Sequence, residues 1–182
     1  MKIKKTYIYI VLIAILITGW FYYYKQSQTK NGQKIEEENE EILWLVDKNS
    51  YLYYPLKRGD VKFNRQDYNQ TETLSIHKII YQSKGGNIYG LLAIPKSITE
   101  PLPGIVLLPG AGVSKESELK LAEKIAELGA AVLVIDQRGV GETDGEFPTL
   151  DEDYASFIAG KEPYQHLMVY DALRAYDLLK SA

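Results

Sequence analysis

The sequence predicts an α/β fold: an antiparallel hairpin leading into parallel strands with covering helices, preceded by one N-terminal transmembrane helix. Three observations carry that expectation. One long uncharged apolar stretch opens the chain. Two β-branched and aromatic runs then follow each other across a glycine turn. Finally, two short continuous apolar runs flank a segment of helical periodicity. The length of 182 residues, with 46% hydrophobic and 25% charged residues, suits one globular domain plus an accessory segment.

The opening stretch, Tyr7 to Tyr24, carries no charge between Lys5 and Lys25, and its centre from Ile8 to Ile17 is nearly all Ile, Leu, Val and Ala. About 20 apolar residues cross a bilayer, so this stretch is just long enough. Trp20, Phe21, Tyr22, Tyr23 and Tyr24 gather at one end, where amphipathic rings favour the headgroup region. A cleaved signal peptide would share the basic start of Lys2, Lys4 and Lys5, but the bulky aromatic end offers no small-residue cleavage site. Residues 1–25 are therefore expected to be an uncleaved single-pass anchor. Three lysines before the span against a looser basic set after it favour the N-terminus inside, with the soluble part extracytoplasmic.

Residues 26–70 form a juxtamembrane linker and lead-in. The first part is polar and holds the run Glu36, Glu37, Glu38, Glu40 and Glu41, the composition of a solvated tether. From residue 42 apolar pieces alternate with breakers such as Pro55 and Gly59, and no topology follows from them.

Residues 71–182 have regular grammar. Thr73 to Gln82 and Asn87 to Ile94 read as two strands of a hairpin around Ser83-Lys84-Gly85-Gly86. After the break at Pro101 to Pro103, Gly104 to Leu108 has the pattern of a strand buried on both faces. Ser114 is placed to cap a helix, Glu116 and Glu118 suit the positive end of its dipole, and Leu121, Ala122, Ile125 and Leu128 recur at helical spacing. Gly129 closes it, and Ala130 to Ile135 is a second buried strand. Strand, helix and strand in that order call for a parallel pair. The last element, His166 to Ser181, is an amphipathic helix. Met168, Val169, Ala172, Leu173, Ala175, Tyr176 and Leu179 are expected inward. Asp171 with Arg174, and Asp177 with Lys180, are expected outward as i,i+3 pairs.

Two loops leave the carboxyl ends of the predicted parallel strands, where open α/β sheets bind ligands. One is Leu108-Pro109-Gly110-Ala111-Gly112; the other runs from Asp136 to Gly145. The first reads equally well as a tight strand-to-helix turn that needs glycine. Asp136 and Arg138 could serve as an acid and an anion binder, or they could shape the turn.

The whole pattern, a hairpin, a buried strand ending in a glycine turn, a helix, and a strand entering Asp-x-Arg-Gly-x-Gly-x-x-x-Gly, resembles the front half of the α/β-hydrolase fold. Within it the likeness is to esterase, dienelactone-hydrolase-like and prolyl-oligopeptidase-like serine hydrolases. Pro109 departs from the pattern, because many relatives carry His there. The resemblance implies an oxyanion hole with Ala111 as backbone donor and Gly112 beside it. It implies an active-site rim of Gly110, Asp136, Arg138, Gly139 and Gly141, and an ester or peptide substrate. A developing oxyanion needs a fixed N–H at close range, and small residues let backbone approach it.

The nucleophile elbow Gly-x-Ser-x-Gly does not occur in these 182 residues, and the triad order would put Ser, acid and His beyond Ala182. The catalytic set is thus expected to be missing from this chain, and hydrolysis by it alone is not expected. A second polypeptide or a downstream segment would complete the fold. Without it, an open sheet edge beside Ala130–Ile135 should leave the chain prone to associate. His77 and His166 read as surface or helix-end residues. No spacing suggests a metal site, no cofactor is implied, and without cysteine there is no thiolate ligand, disulfide or Cys nucleophile. A net charge of -3 lacks the positive footprint that nucleic acid requires.

Two other readings compete. Strand, Gly110-x-Gly112, helix, strand and Asp136 imitate a Rossmann-like dinucleotide fingerprint, except that Lys115 stands at the third glycine. A non-enzymatic membrane-tethered interaction domain is the other.

Overall fold

Local grammar in the described part of the chain produces seven strands and three helices. They run in the order β1 (Leu45–Val46), β2 (Leu52–Tyr53), β3 (Phe63–Gln70), β4 (Leu74–Ser83), β5 (Gly86–Pro95), β6 (Gly104–Leu107), α1 (Lys115–Glu127), β7 (Ala131–Ile135), α2 (Leu150–Ile158) and α3 (Tyr164–Ser181). This is a computed structural model, and it describes residues 44–97 and 101–181. The chain divides into two units, residues 1–45 and 46–182. The first lies almost wholly outside the described residues, as do the expected membrane span and the tether after it. Among the described residues no helix is long and apolar enough to cross a membrane.

Strands β3 to β7 form one mixed sheet in the order β3-β4-β5-β7-β6. The expected hairpin is β4 and β5, in register from Leu74 opposite Pro95 to Ser83 opposite Gly86. The predicted parallel pair is β6 and β7, with Leu107 opposite Val134. β5 meets β7 antiparallel, with Gly90 opposite Ile135. The stretch that gave no topology supplies β3, an antiparallel edge strand exposed along its length, with a bulge between Asp67 and Asn69.

Period-two alternation in β7 explains the layering. Val132 and Val134 join Leu74, Ile76, Leu91, Ala93, Ala122 and Ala126 in one buried cluster. Leu133 and Ile135 join Ile79, Tyr81, Ile88, Leu92, Ala175 and Leu178 in another. α1 therefore covers one face of the sheet and α3 the other.

Four expectations change. β7 is not beside the open edge, because it sits between β5 and β6. β6 is the open edge, so Gly104 to Leu107 are exposed or half-buried rather than enclosed. In α1 it is the small Ala122 and Ala126 that meet the sheet, while Leu121 and the capping Leu128 face outward. In α3 the expected outer pair is inside: Asp171 and Arg174 are buried, whereas Val169 and Tyr176 are exposed. Partners distant in sequence make that possible. Arg138 meets Asp171, and the carbonyls of Arg58, Gly59 and Asp60 accept from the Arg174 guanidinium. A buried charge so satisfied costs far less than an unpaired one.

Candidate active site

The carboxyl ends of β6 and β7 lie side by side because the strands are parallel and in register. Their loops are tied together directly. The Gln137 amide nitrogen donates to the Pro109 carbonyl at 3.1 Å. The Lys115 backbone N–H, first in α1, donates to Asp136 Oδ1 at 2.7 Å, and the Lys115 ammonium donates to Asp136 Oδ2 at 2.7 Å. Both side chains are almost completely buried.

Asp136 thus performs the capping expected of Ser114. Ser114 occupies the N-cap position with extended backbone, but its side chain makes no cap hydrogen bond. The acceptor arrives from 21 residues further along the chain, at the positive end of the helix dipole. The ammonium also meets Glu116 at 2.7 Å and Glu142 at 2.8 Å. Glu142 in turn pairs with Lys78. Burial works against the charged Lys115, but the three carboxylates outweigh it and hold its pKa above the ordinary lysine value. Lys115, and then Lys78, hold the Glu142 carboxyl below its ordinary value.

Gly141 is required here. Its φ is 60°, and a Cβ would run into the Asp136 carboxylate. Gly139 closes the same loop by donating its N–H to the Thr143 carbonyl at 3.1 Å, and the Thr143 hydroxyl accepts from Tyr89 N–H at 3.0 Å. Arg138 points the other way, under the sheet. Its guanidinium grips Asp171 at 2.7 and 2.8 Å and donates to the Lys84 carbonyl at 2.6 Å. Ser83 completes the Asp171 carboxylate. Burial pushes the Asp171 carboxyl up, while Arg138 and Ser83 hold part of that back.

The other loop is bare by comparison. Gly110 accepts from the Val113 N–H at 3.0 Å, which makes a turn whose tip is Ala111 and Gly112. Both tip residues are exposed, and a Cβ at Gly112, φ 72°, would meet nothing within 4 Å. Among the described residues the N–H groups of Ala111 and Gly112 meet no acceptor. Two adjacent free donors on a small-residue turn are what a developing oxyanion requires.

Neither histidine joins this site. His77 is 9% exposed in β4, where its Nε2 faces the Arg65 guanidinium at 2.6 Å and its Nδ1 faces Asp67 at 3.1 Å. Burial, and then Arg65, push its pKa below the ordinary imidazole value. It is not the surface residue expected. His166 lies in the first turns of α3, and burial lowers its pKa too.

Sequence reasoning overlooked Lys115, which stood only as a misfit in a glycine fingerprint. A signal was present. A lysine at the first helical position opposes the dipole, and that choice points to a carboxylate partner. The dinucleotide reading fails at the same residue pair. Asp136 is spent on Lys115 and the helix N-terminus, leaving no carboxylate for a ribose, and β7 is antiparallel to β5 where a Rossmann unit is parallel.

A mixed sheet covered on both faces, with an antiparallel front and two glycine loops side by side at the tips of its parallel pair, defines a partial α/β-hydrolase-like fold. A solved structure of related fold agrees. A candidate acetyl xylan esterase from Bacteroides fragilis aligns with a TM-score of 0.56 at 17% identity, over 69% of this chain and 40% of that one. A hypothetical protein from Pseudomonas aeruginosa aligns with a TM-score of 0.49 at 21% identity, over 63% of this chain and 33% of that one. Acetyl xylan esterase 1 from Thermoanaerobacterium gives 0.42 at 17% identity, over 50% and 31%. The chain spans two fifths or less of the length of these proteins. No family model matches it, and no curated protein matches it.

Proposed function

We propose that this chain is the front part of a membrane-tethered serine hydrolase acting on ester or peptide bonds. In this reading Ala111, with Gly112 beside it, supplies the oxyanion donors. The observation that carries the proposal is the contrast at the strand tips: a free pair of N–H groups is held at fixed height by a neighbouring loop that is itself locked by Lys115 and Asp136. Among the described residues one side of β6 is unpaired, which supports it as well, since a further parallel strand along that edge would bring its own carboxyl end beside the same turn.

The nucleophile, acid and base come in this reading from polypeptide that pairs along β6, and the chain alone turns over nothing. Residues 7–24 hold it in the membrane with the N-terminus inside, and the domain faces the extracytoplasmic side. No cofactor, metal or nucleic acid takes part.

The test is reconstitution. The full chain alone should neither cleave short-chain nitrophenyl esters nor react with a serine-directed fluorophosphonate. Expressed with the polypeptide encoded downstream, it should gain one labelled serine and measurable turnover. Ala111→Pro, which deletes the N–H, should then lower turnover by roughly 10²-fold or more without preventing labelling. A labelled serine within these 182 residues, or unchanged turnover after Ala111→Pro, would overturn the assignment. Protease added to intact cells should digest the domain; full protection would reverse the orientation.

A further inference from the structure

Helix α2 leaves the core and presents an apolar stripe outward. Leu150, Tyr154 and Ile158 are 73%, 63% and 66% exposed, at positions i, i+4 and i+8 of one helix face. Beside them is the β1–β2 hairpin, whose Val46, Ser50 and Leu52 line the near side, while Tyr51 and Tyr53, 64% and 50% exposed, alternate to the other side of the strand. Between the two lies a groove of about 360 Å³ floored by Leu52 and Phe157. One exposed leucine means nothing, but a contiguous apolar face on a small unit marks a contact surface.

Three of the acids around this face are committed, and Asp151 stands exposed beside Leu150. Thr149 and Glu152 form a reciprocal capping box. Asp153 accepts from the Tyr164 and Gln165 N–H groups at the start of α3. Asp47 accepts from the Asn49 and Tyr51 N–H groups at 2.8 and 3.0 Å. What α2 turns toward solvent is Tyr154 between two branched aliphatics, Leu150 and Ile158, a ring carrying a polar tip beside purely apolar groups. That mixture suits the boundary between headgroups and acyl chains, where one end of the ring is wet and the other dry.

We propose that this face, α2 with the β1–β2 turn, rests on the headgroup region of a zwitterionic lipid bilayer, an inference that builds on the membrane-tethered reading above. Chain connectivity selects the bilayer over other apolar partners. The chain enters this unit at Val46, which itself lines the groove, so the tether joins at the rim of the patch. The segment from residue 26 to residue 43 cannot reach farther than roughly 65 Å even when fully drawn out. A lipid surface within that radius is present at all times, whereas a soluble partner must be captured from dilution.

The chain has no cysteine, so single cysteines report position without interference. Full chain carrying Tyr154→Cys, or Lys124→Cys on the exposed face of α1, is labelled with an environment-sensitive fluorophore and reconstituted into phosphatidylcholine vesicles. Shallow nitroxide lipids should quench the label at 154 at least about twofold and leave the label at 124 unchanged. Leu150→Asp with Ile158→Asp should abolish that quenching while the chain stays with the vesicles through an alkaline carbonate wash. Retention with equal, absent or protein-concentration-dependent quenching at 154 would overturn the docking inference alone, the last outcome pointing to a second copy of the chain. Release by the wash would overturn the tether and the docking with it.

Discussion

The loops after β6 and β7 sit side by side, yet they are built on opposite plans. The β7 loop is cross-braced: Asp136 takes two hydrogen bonds from Lys115 and one from the Glu142 N–H at 3.0 Å, and Arg138 is bolted to Asp171. The β6 loop offers small residues and unspent N–H groups. The difference teaches that a donor can be both free and well placed if the loop next door supplies the rigidity. A hydrogen bond used to fix the turn would no longer be available to an oxyanion, so the fixing is delegated to the neighbour.

The largest effect should come from removing the brace. Asp136→Ala takes one of three carboxylates from a buried ammonium and uncaps the helix end, and should cost about 3 kcal/mol by urea unfolding followed by circular dichroism. Adding Lys115→Met should recover part of that loss, because the buried charge, left with only Glu116 and Glu142, leaves with the lysine. If the double variant were no better than the single, the brace would owe its strength to the helix N–H rather than to the ion pair.

Next comes a matched pair of glycines. Gly141→Ala forces a methyl against the Asp136 carboxylate at φ 60° and should cost more than about 2 kcal/mol. Gly112→Ala meets open space at φ 72° and should cost only about 1 kcal/mol, the backbone strain alone. Equal costs would erase the distinction between a locked and a bare loop.

A smaller effect belongs to the front of the sheet. His77 has a folded pKa below its unfolded one, so the unfolded chain binds the proton more tightly. Its contribution is complete above the unfolded value and is lost as the pH falls through the folded one. Stability should therefore drop as the pH falls below about 6.5, and His77→Gln should flatten that slope. The smallest concerns the open edge: Ile105→Lys should change stability by less than about 0.5 kcal/mol while reducing self-association in sedimentation velocity.

Much of the strand grammar was legible before the structure. The hairpin, the parallel pair and the helix between them come from periodicities that neighbours in sequence enforce, and these elements stand within a residue or two of their expected ends. Charged positions were read less well, for one physical reason. Pattern rules send Asp171, Arg174 and Lys115 to solvent because an unpaired charge cannot be buried, and only the fold discloses that Arg138, the carbonyls after Arg58, and Asp136 are waiting for them. Strand order was opaque too. β7 enters between β5 and β6 because its alternating Val and Leu residues can feed two cores at once, a property that no local window displays. The turns that hold Ala111, Gly112 and Gly141 were legible from their glycines, but which glycine is crowded and which stands free depends on a carboxylate brought in by the sheet.

The placement of β6 also sets a sequence of events in time. The β4–β5 hairpin closes over a two-residue turn, while β6 must wait for the chain to traverse α1 and return through β7 before it finds its only described neighbour. A strand paired along one side opens more readily than one held on both, so the edge lies at the low-stability end of the sheet. In native-state hydrogen exchange the amides of Ile105 to Leu107 should accordingly trade for deuterium well ahead of those of Val132 to Val134, making the outermost strand the point at which the sheet first gives way.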